Sequence, residues 1–209
     1  MAISYPLALP NTTSIKSVNL RARSNIAVTQ SPFTYKQQVL KFQGSAWEAD
    51  IQLKAMKRDE AEEWIAWMLS LDGQFGTFLL GDPNGTTPRG SAATSAGAPL
   101  INGADQTGKY IVIDGCSASA TSYLEVGDYV QFGTGASSKL HKILEVCPTD
   151  ASGNALLTVY PEVKEAHPDN TTVTVSNCKG LFRLSSNEMD WSIQTNLFYG
   201  LTFSAVEAI

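Results

Sequence analysis

Between Ala46 and Pro83 the hydrophobic period of the chain changes, and few folds accommodate such a change. From Trp47 to Ala55 the odd positions are Trp47, Ala49, Ile51, Leu53 and Ala55, and the even ones are Glu48, Asp50, Gln52 and Lys54. Successive side chains of a strand point to opposite faces, so this alternation predicts a strand with one buried face and one wet, charged face. From Arg58 to Leu71 the period becomes helical. Ala61, Trp64, Ile65, Met68 and Leu69 fall at i, i+3, i+4, i+7 and i+8, which is one apolar stripe. Asp59 with Glu62 has the form of a capping box and Asp72-Gly73 that of a stop, so a helix is expected over about residues 59–71. Gly73–Pro83 then reads as a strand-like turn. One amphipathic helix over one half-buried antiparallel sheet satisfies both periods.

The flanking segments are β-like. Residues 1–14, rich in Pro, Ser and Thr after a few apolar residues, read as an arm or loop. Val18, Leu20 and Ala22 alternate with Ser17, Asn19, Arg21 and Arg23, a strand whose wet face carries two arginines. Asn25–Lys36 reads as a long loop or hairpin, and Gln37–Phe42 as a strand broken by Gly44-Ser45. Pro83–Ser91 carries no aliphatic or aromatic side chain and is read as a linker. Beyond it, short β runs at 110–113, 123–132, 139–146, 155–160 and 172–175 are split by Gly, Asp and Asn turns, the pattern of a small barrel or sandwich.

Lys179-Gly180 marks a second seam. Leu181–Leu184, then Met189, Trp191 and Ile193 against Asp190, Ser192 and Gln194, predict a terminal hairpin with a turn near Tyr199-Gly200, before Leu201, Phe203 and Ala205. In texture it matches the first 80 residues better than the middle. The fold expected is mainly β with one α-helix: a β-sandwich or barrel domain from 1–82 plus 180–209, with a small β-barrel domain inserted at 88–178. Two domains in series is the alternative.

A chain of 209 residues with net charge −5 has length for a sizeable core and lacks the basic balance of most nucleic-acid-binding surfaces. No run of eighteen apolar residues occurs, so no membrane insertion is expected. Met1–Pro6 has neither a basic segment nor a long apolar one, so no signal peptide is expected. Cys116, Cys147 and Cys178 are dispersed, without a C-x-x-C, and read as reduced thiols. With no signal peptide, the Asn-x-Thr triplets at Asn11, Asn84 and Asn170 read as chance matches in Thr-rich loops.

Candidate chemistry is sparse. His141 and His167 have no paired ligand spacing, no nucleophile elbow occurs, and Gly133-x-Gly135 precedes no helix. No catalytic residue, metal or cofactor is therefore expected. Two carboxylate pairs, Glu48 with Asp50 and Glu188 with Asp190, sit on the polar sides of extended segments, where acids are usually solvated. Trp67 lies off the flank of the helix stripe, near Glu63 and Ser70. There it either widens the buried face or serves as an aromatic anchor for a neighbouring subunit.

The run from Trp64-Ile65-Ala66-Trp67 through Gly73-Gln74-Phe75-Gly76-Thr77-Phe78 to Gly81-Asp82-Pro83 resembles the distal tail protein group, and related minor tail proteins, of long-tailed bacteriophages. The resemblance is specific over residues 40–83, looser over 180–209 and weak between. It implies a tail-tube-like domain in a non-enzymatic virion component. Such subunits form a homo-oligomeric ring, typically a hexamer, that joins the tail tube to the tip or baseplate around a DNA channel. The expected partners are thus copies of the chain, the tail tube protein and the tail hub or tip proteins, with duplex DNA passing without specific binding. The expected location is the virion tail, after synthesis in the bacterial host cytoplasm. Glu48 and Asp50, with Gln52 beside them, become the channel-facing candidates, and Trp67 the subunit-interface anchor. Two other classes compete: a stand-alone carbohydrate-binding β module, and a hydrolase whose cleft would hold Asp114, Asp128, His141 or Glu145.

Overall fold

The computed structural model describes residues 3–193 and 197–209. In chain order its elements are β1 (Ile15–Arg23), β2 (Ile26–Gln30), β3 (Gln37–Lys41), β4 (Ala46–Leu53), α1 (Arg58–Ser70) and β5 (Phe78–Leu80). There follow β6 (Gly97–Ile101), β7 (Gly108–Cys116), β8 (Tyr129–Phe132), β9 (Lys139–Ile143), β10 (Ala155–Val163) and β11 (Val173–Thr174). The chain returns through β12 (Gly180–Leu184), β13 (Trp191–Ile193) and β14 (Tyr199–Glu207). The fold is mainly β with a single α-helix, as the periodicities predict.

Two six-stranded sheets carry it. The first runs β1-β4-β14-β12-β5, with β13 also on β14. The second runs β11-β8-β9-β10-β7-β6 and nearly closes on itself, because a bridge between Leu100 and Thr172 joins the region of β6 to that of β11. The strands of the first sheet come from before residue 81 and after residue 179, and those of the second from between them. Leu80 on β5 pairs with Gly180 on β12, so the chain leaves the first sheet and re-enters it on adjacent strands. Glycine is required on both sides of this crossing: a Cβ on Gly81 would lie 2.2 Å from the Cys178 carbonyl oxygen, and one on Gly180 would lie 2.8 Å from the Leu140 Cβ.

β4 buries Trp47, Ala49, Ile51 and Leu53 and turns Glu48, Asp50 and Gln52 outward, as its alternation predicts. Helix α1 packs onto the buried side. The Trp67 ring lies 5.0 Å from Phe78 and 5.6 Å from Phe203, while Trp64 lies 5.6 Å from Trp67. Ile65 and Met68 are buried, as expected, but Leu69 is 53 % exposed. The apolar arc is centred on Trp64, Met68 and Leu71, which leaves Leu69 beyond its edge and admits Trp67 on the other side. The helix starts without a capping box. Lys57 is the N-cap and makes no side-chain bond, Asp59 falls inside the first turn, and Glu62 pairs with Arg58 at 3.3 Å. Asp72 and Gly73, both at positive φ, stop it as predicted.

Elsewhere the strands depart from the expected runs. β6 lies outside the expected β runs, and residues 123–128 turn rather than extend, because the Asp128 carboxylate draws in the backbone N–H of Glu125 at 2.9 Å. Tyr199 and Gly200, expected at a turn, are strand residues paired with Ile193 and Ser192. Gln194, expected on that alternating strand, lies outside the described residues.

The two sheets share a core boundary. Trp47 Nε1 donates to the Leu140 carbonyl at 2.9 Å, and Leu181 N–H donates to the Ser138 carbonyl at 3.0 Å. Leu140, Tyr129 and Cys178 pack into the same cluster as Trp47 and Phe182.

Candidate functional site

The outward face of β4 is the first candidate surface. Read alone, the strand offers two acids, but pairing with β1 places Arg21 opposite Glu48 and Asn19 opposite Asp50. Arg21 Nη1 lies 3.0 Å from Asp50 Oδ2, and Arg23 Nη1 lies 2.9 Å from Glu48 Oε1. On the other flank Ser204 Oγ donates to Asp50 Oδ1 at 2.6 Å. Gln52 is exposed, between Ser17 on β1 and Thr202 on β14. Exposed pairs of this kind contribute about 0–1 kcal/mol each. Their larger effect is on register, since a one-residue slip would set Arg21 against a buried position. The face is thus a ladder of alternating charge, not the acid-only strip that β4 suggests, because the two arginines of β1 neutralise it.

The second carboxylate pair is placed differently from its expectation. Residues 185–190 are irregular rather than one extended strand. Glu188 and Asp190, from the segment between β12 and β13, line with Asp50 and Gln52 a hollow of about 460 Å³. The acidic excess of this face is there.

Trp67, the candidate anchor, is a core residue. It is 7 % exposed and wedged between Phe78 and Phe203, so it presents no surface to a neighbour; its place on the helix flank widens the buried face instead.

The second candidate surface is the β2–β3 hairpin. Among the described residues the two strands pair only with each other, and every residue of both is exposed. Ile26, Val28 and Val39 share one face, and Ala27 and Leu40 share the other. At the turn Phe33 is 90 % exposed, with Tyr35 beside it. Among the described residues its polar links to the rest of the fold lie at the root, where Lys41 pairs with Glu162 and Tyr160 Oη donates to the Arg23 carbonyl at 2.8 Å. The alternation Ile26, Val28 within a segment free of charge was the available signal, blurred by Ser31-Pro32.

The residues named for a hydrolytic cleft hold separate structural posts. Asp128 is 4 % exposed and accepts the backbone N–H groups of Arg89, Glu125 and Gly90. It thereby ties the 83–91 connection to the barrel. Glu145 accepts from Thr158 Oγ1 at 2.7 Å, and Asp114 lies on β7 opposite Leu100. His141 is 3 % exposed, with Nδ1 2.7 Å from the Pro161 carbonyl, and burial pushes its pKa down to about 4. Burial also raises the thiols of Cys116 and Cys147 to about 11 and that of Cys178 to about 12, which keeps all three protonated. Among the described residues, no group of three or more His, Cys, Asp or Glu side chains is placed to hold a metal ion.

No protein-family profile and no curated protein matches the chain.

Proposed function

We propose that this chain is a structural subunit of a bacteriophage tail tip. Copies close into a ring, a hexamer by the resemblance, that joins the tail tube to the hub or tip and surrounds the path of duplex DNA. The observation that carries the reading is the β2–β3 hairpin. An isolated two-stranded hairpin is marginal in water, and this one exposes apolar side chains on both faces. A neighbouring copy that receives it buries both. Because the hairpin and its receiving surface are different patches, the contact is head-to-tail, the geometry that generates closed rings.

In this ring Glu48, Asp50 and Gln52 face the channel. Their pairing with Arg21 and Arg23 makes that wall close to neutral, with acidic excess supplied by Glu188 and Asp190. A neutral-to-acidic wall binds phosphates weakly and lets DNA slide.

The test is native mass by light scattering with negative-stain imaging, for the natural chain and for a Val28→Asp/Val39→Asp variant. Rings that the double substitution converts to folded monomers support the proposal. A monomer at every concentration and in assembled particles, or rings indifferent to the substitution, overturns it.

A further inference from the structure

The outward side of the second sheet is apolar where a solvated sheet face is ordinarily polar. On β7 Tyr110 and Val112 stand exposed and alternate with the buried Ile111 and Ile113; on β10 Leu156 stands exposed between the buried Ala155 and Leu157. The register sets Val112 opposite Leu156 and Tyr110 opposite Thr158, so all four share one face. On the neighbouring strand Ile143 is buried opposite Val159, and the exposed Leu144 after it donates its N–H to the Thr158 carbonyl at 2.8 Å. Single exposed apolar residues are ordinary, but a patch that spans adjoining strands marks a contact.

β10 also carries the root of the β2–β3 hairpin, and the order of contacts along it gives the direction in which that root runs. Tyr160 Oη donates to the Arg23 carbonyl at 2.8 Å and lies 3.3 Å from Ser24 Oγ. Further along β10, Glu162 pairs with Lys41, which stands opposite Ile26. The root therefore advances from Tyr160 towards Glu162, away from Leu156. Leu156 lies about 13 Å behind Tyr160 at the rise of a strand. Within one chain both the patch and the hairpin stay exposed. Lys41 lies on the hairpin face of Ile26, Val28 and Val39, so that is the face turned towards β10.

The two surfaces are complementary in charge. From Ser24 to Ser45 the charged residues are Lys36 and Lys41, with no acid between them or beside them. Lys41 is taken by Glu162, while Lys36 is exposed and forms no ion pair among the described residues. The patch is bordered by two acids that likewise form no ion pair. Asp114 follows Val112 on the same side of β7, and Glu145 accepts from Thr158 Oγ1 at 2.7 Å. Of the nearby cations, Lys142 is held over the Tyr129 ring, 4.5 Å from its centroid, and Lys109 alternates to the other side of β7.

We propose, building on the ring described above, that the face of Tyr110, Val112, Leu144 and Leu156 receives the hairpin of a neighbouring copy. Ile26, Val28 and Val39 lie against the patch, and Lys36 stands beside Asp114 and Glu145. Strand layers pack face to face in this way about 10 Å apart. Leu156 and Glu162 sit near opposite ends of β10, so each copy gives a hairpin at one end and receives one at the other. That order is head-to-tail.

The test uses the full chain. Val28→Cys and Leu156→Cys chains are mixed and mildly oxidised, with Leu69→Cys, exposed on the helix, in place of Leu156→Cys as the collision control. The expected result is an interchain disulfide between positions 28 and 156, identified by mass spectrometry, at a yield well above the control. Leu156→Asp should stay folded by circular dichroism and weaken assembly by about tenfold or more, as should Tyr110→Asp. Lys36→Glu should weaken assembly too, and adding Asp114→Lys with Glu145→Lys should restore it. Rings that Val28→Asp/Val39→Asp disrupts but Leu156→Asp and Tyr110→Asp leave intact would keep the ring and overturn this receiving face. No 28–156 link in assembled material also overturns it, as does a Lys36→Glu loss that the reversed acids do not restore. A chain that stays monomeric throughout removes the ring and the receiving face together.

Discussion

Asp128→Ala should be one of the costliest polar substitutions in the chain, and the structure gives its size. The carboxylate is buried and receives the Arg89 N–H at 3.0 Å from each oxygen, the Glu125 N–H at 2.9 Å and, less well, the Gly90 N–H at 3.4 Å. Each buried donor left unmade costs about 1–3 kcal/mol. Two good donors and one weak one give about 3–5 kcal/mol, the range seen when one partner of a buried charged pair is removed. Arg89→Ala is the control. Its guanidinium is 66 % exposed and 3.4 Å from Asp128, and its backbone N–H survives the substitution, so about 0–1 kcal/mol is expected. Asp128→Asn should fall between, because Oδ1 still serves Arg89 while an NH₂ now faces the Glu125 N–H. Urea unfolding followed by far-ultraviolet circular dichroism measures the three differences, provided the slope is constant. Hydrogen exchange at the Arg89, Gly90 and Glu125 amides should accelerate in Asp128→Ala. If Asp128→Ala costs no more than Arg89→Ala and those amides stay protected, the backbone donors have other partners and the clamp is refuted.

Three further outcomes follow from packing and charge. Ile65→Ala should cost roughly 2–5 kcal/mol and Leu69→Ala less than about 0.5 kcal/mol; equal costs in the same unfolding assay would mean a different helix phase. His141 is held neutral by burial, its pKa lowered from 6.5 to about 4, so the folded state binds its proton more weakly than the unfolded one. That contribution is complete above about pH 6.5 and is lost as the pH falls towards 4, so the natural chain should lose about 3 kcal/mol more than His141→Asn over that window. Glu48→Lys with Asp50→Lys leaves Arg21 and Arg23 unpaired beside two new cations; on the proposed tail-tip reading, rings should still form but genome ejection should slow or stall, and unchanged ejection would remove these positions from the proposed channel.

What the sequence makes legible is set by locality. The β4 alternation and the Asp72-Gly73 stop depend only on nearby residues, and both appear as read. The helix phase was legible too, at about 100° per residue. Taking Ala61, Trp64, Met68 and Leu71 as the arc, Leu69 falls about 120° from its middle and Trp67 about 80°. Stopping the stripe at Leu69 hid this. The charge ladder was not legible, because Arg21 and Glu48 are far apart in the chain and only the strand register sets them opposite. Asp128 looked like any turn aspartate, since its partners at Arg89 and Gly90 lie across the connection it anchors.

The adjacency of Leu80 and Gly180 bears on how such a chain diverges over time. An excursion that begins and ends on paired residues can be lengthened, shortened or exchanged without altering strand order in the sheet that hosts it. Closing a longer excursion adds only about 0.6 kcal/mol per doubling of its length. Any replacement cargo, however, inherits two obligations from its chassis. It must offer an acceptor where the Leu140 carbonyl meets the Trp47 indole, and it must lie close over a residue with no side chain at Gly180. Trp47, Gly81 and Gly180 are therefore expected to be inherited together with this barrel and to drift together in lineages that have traded it for another.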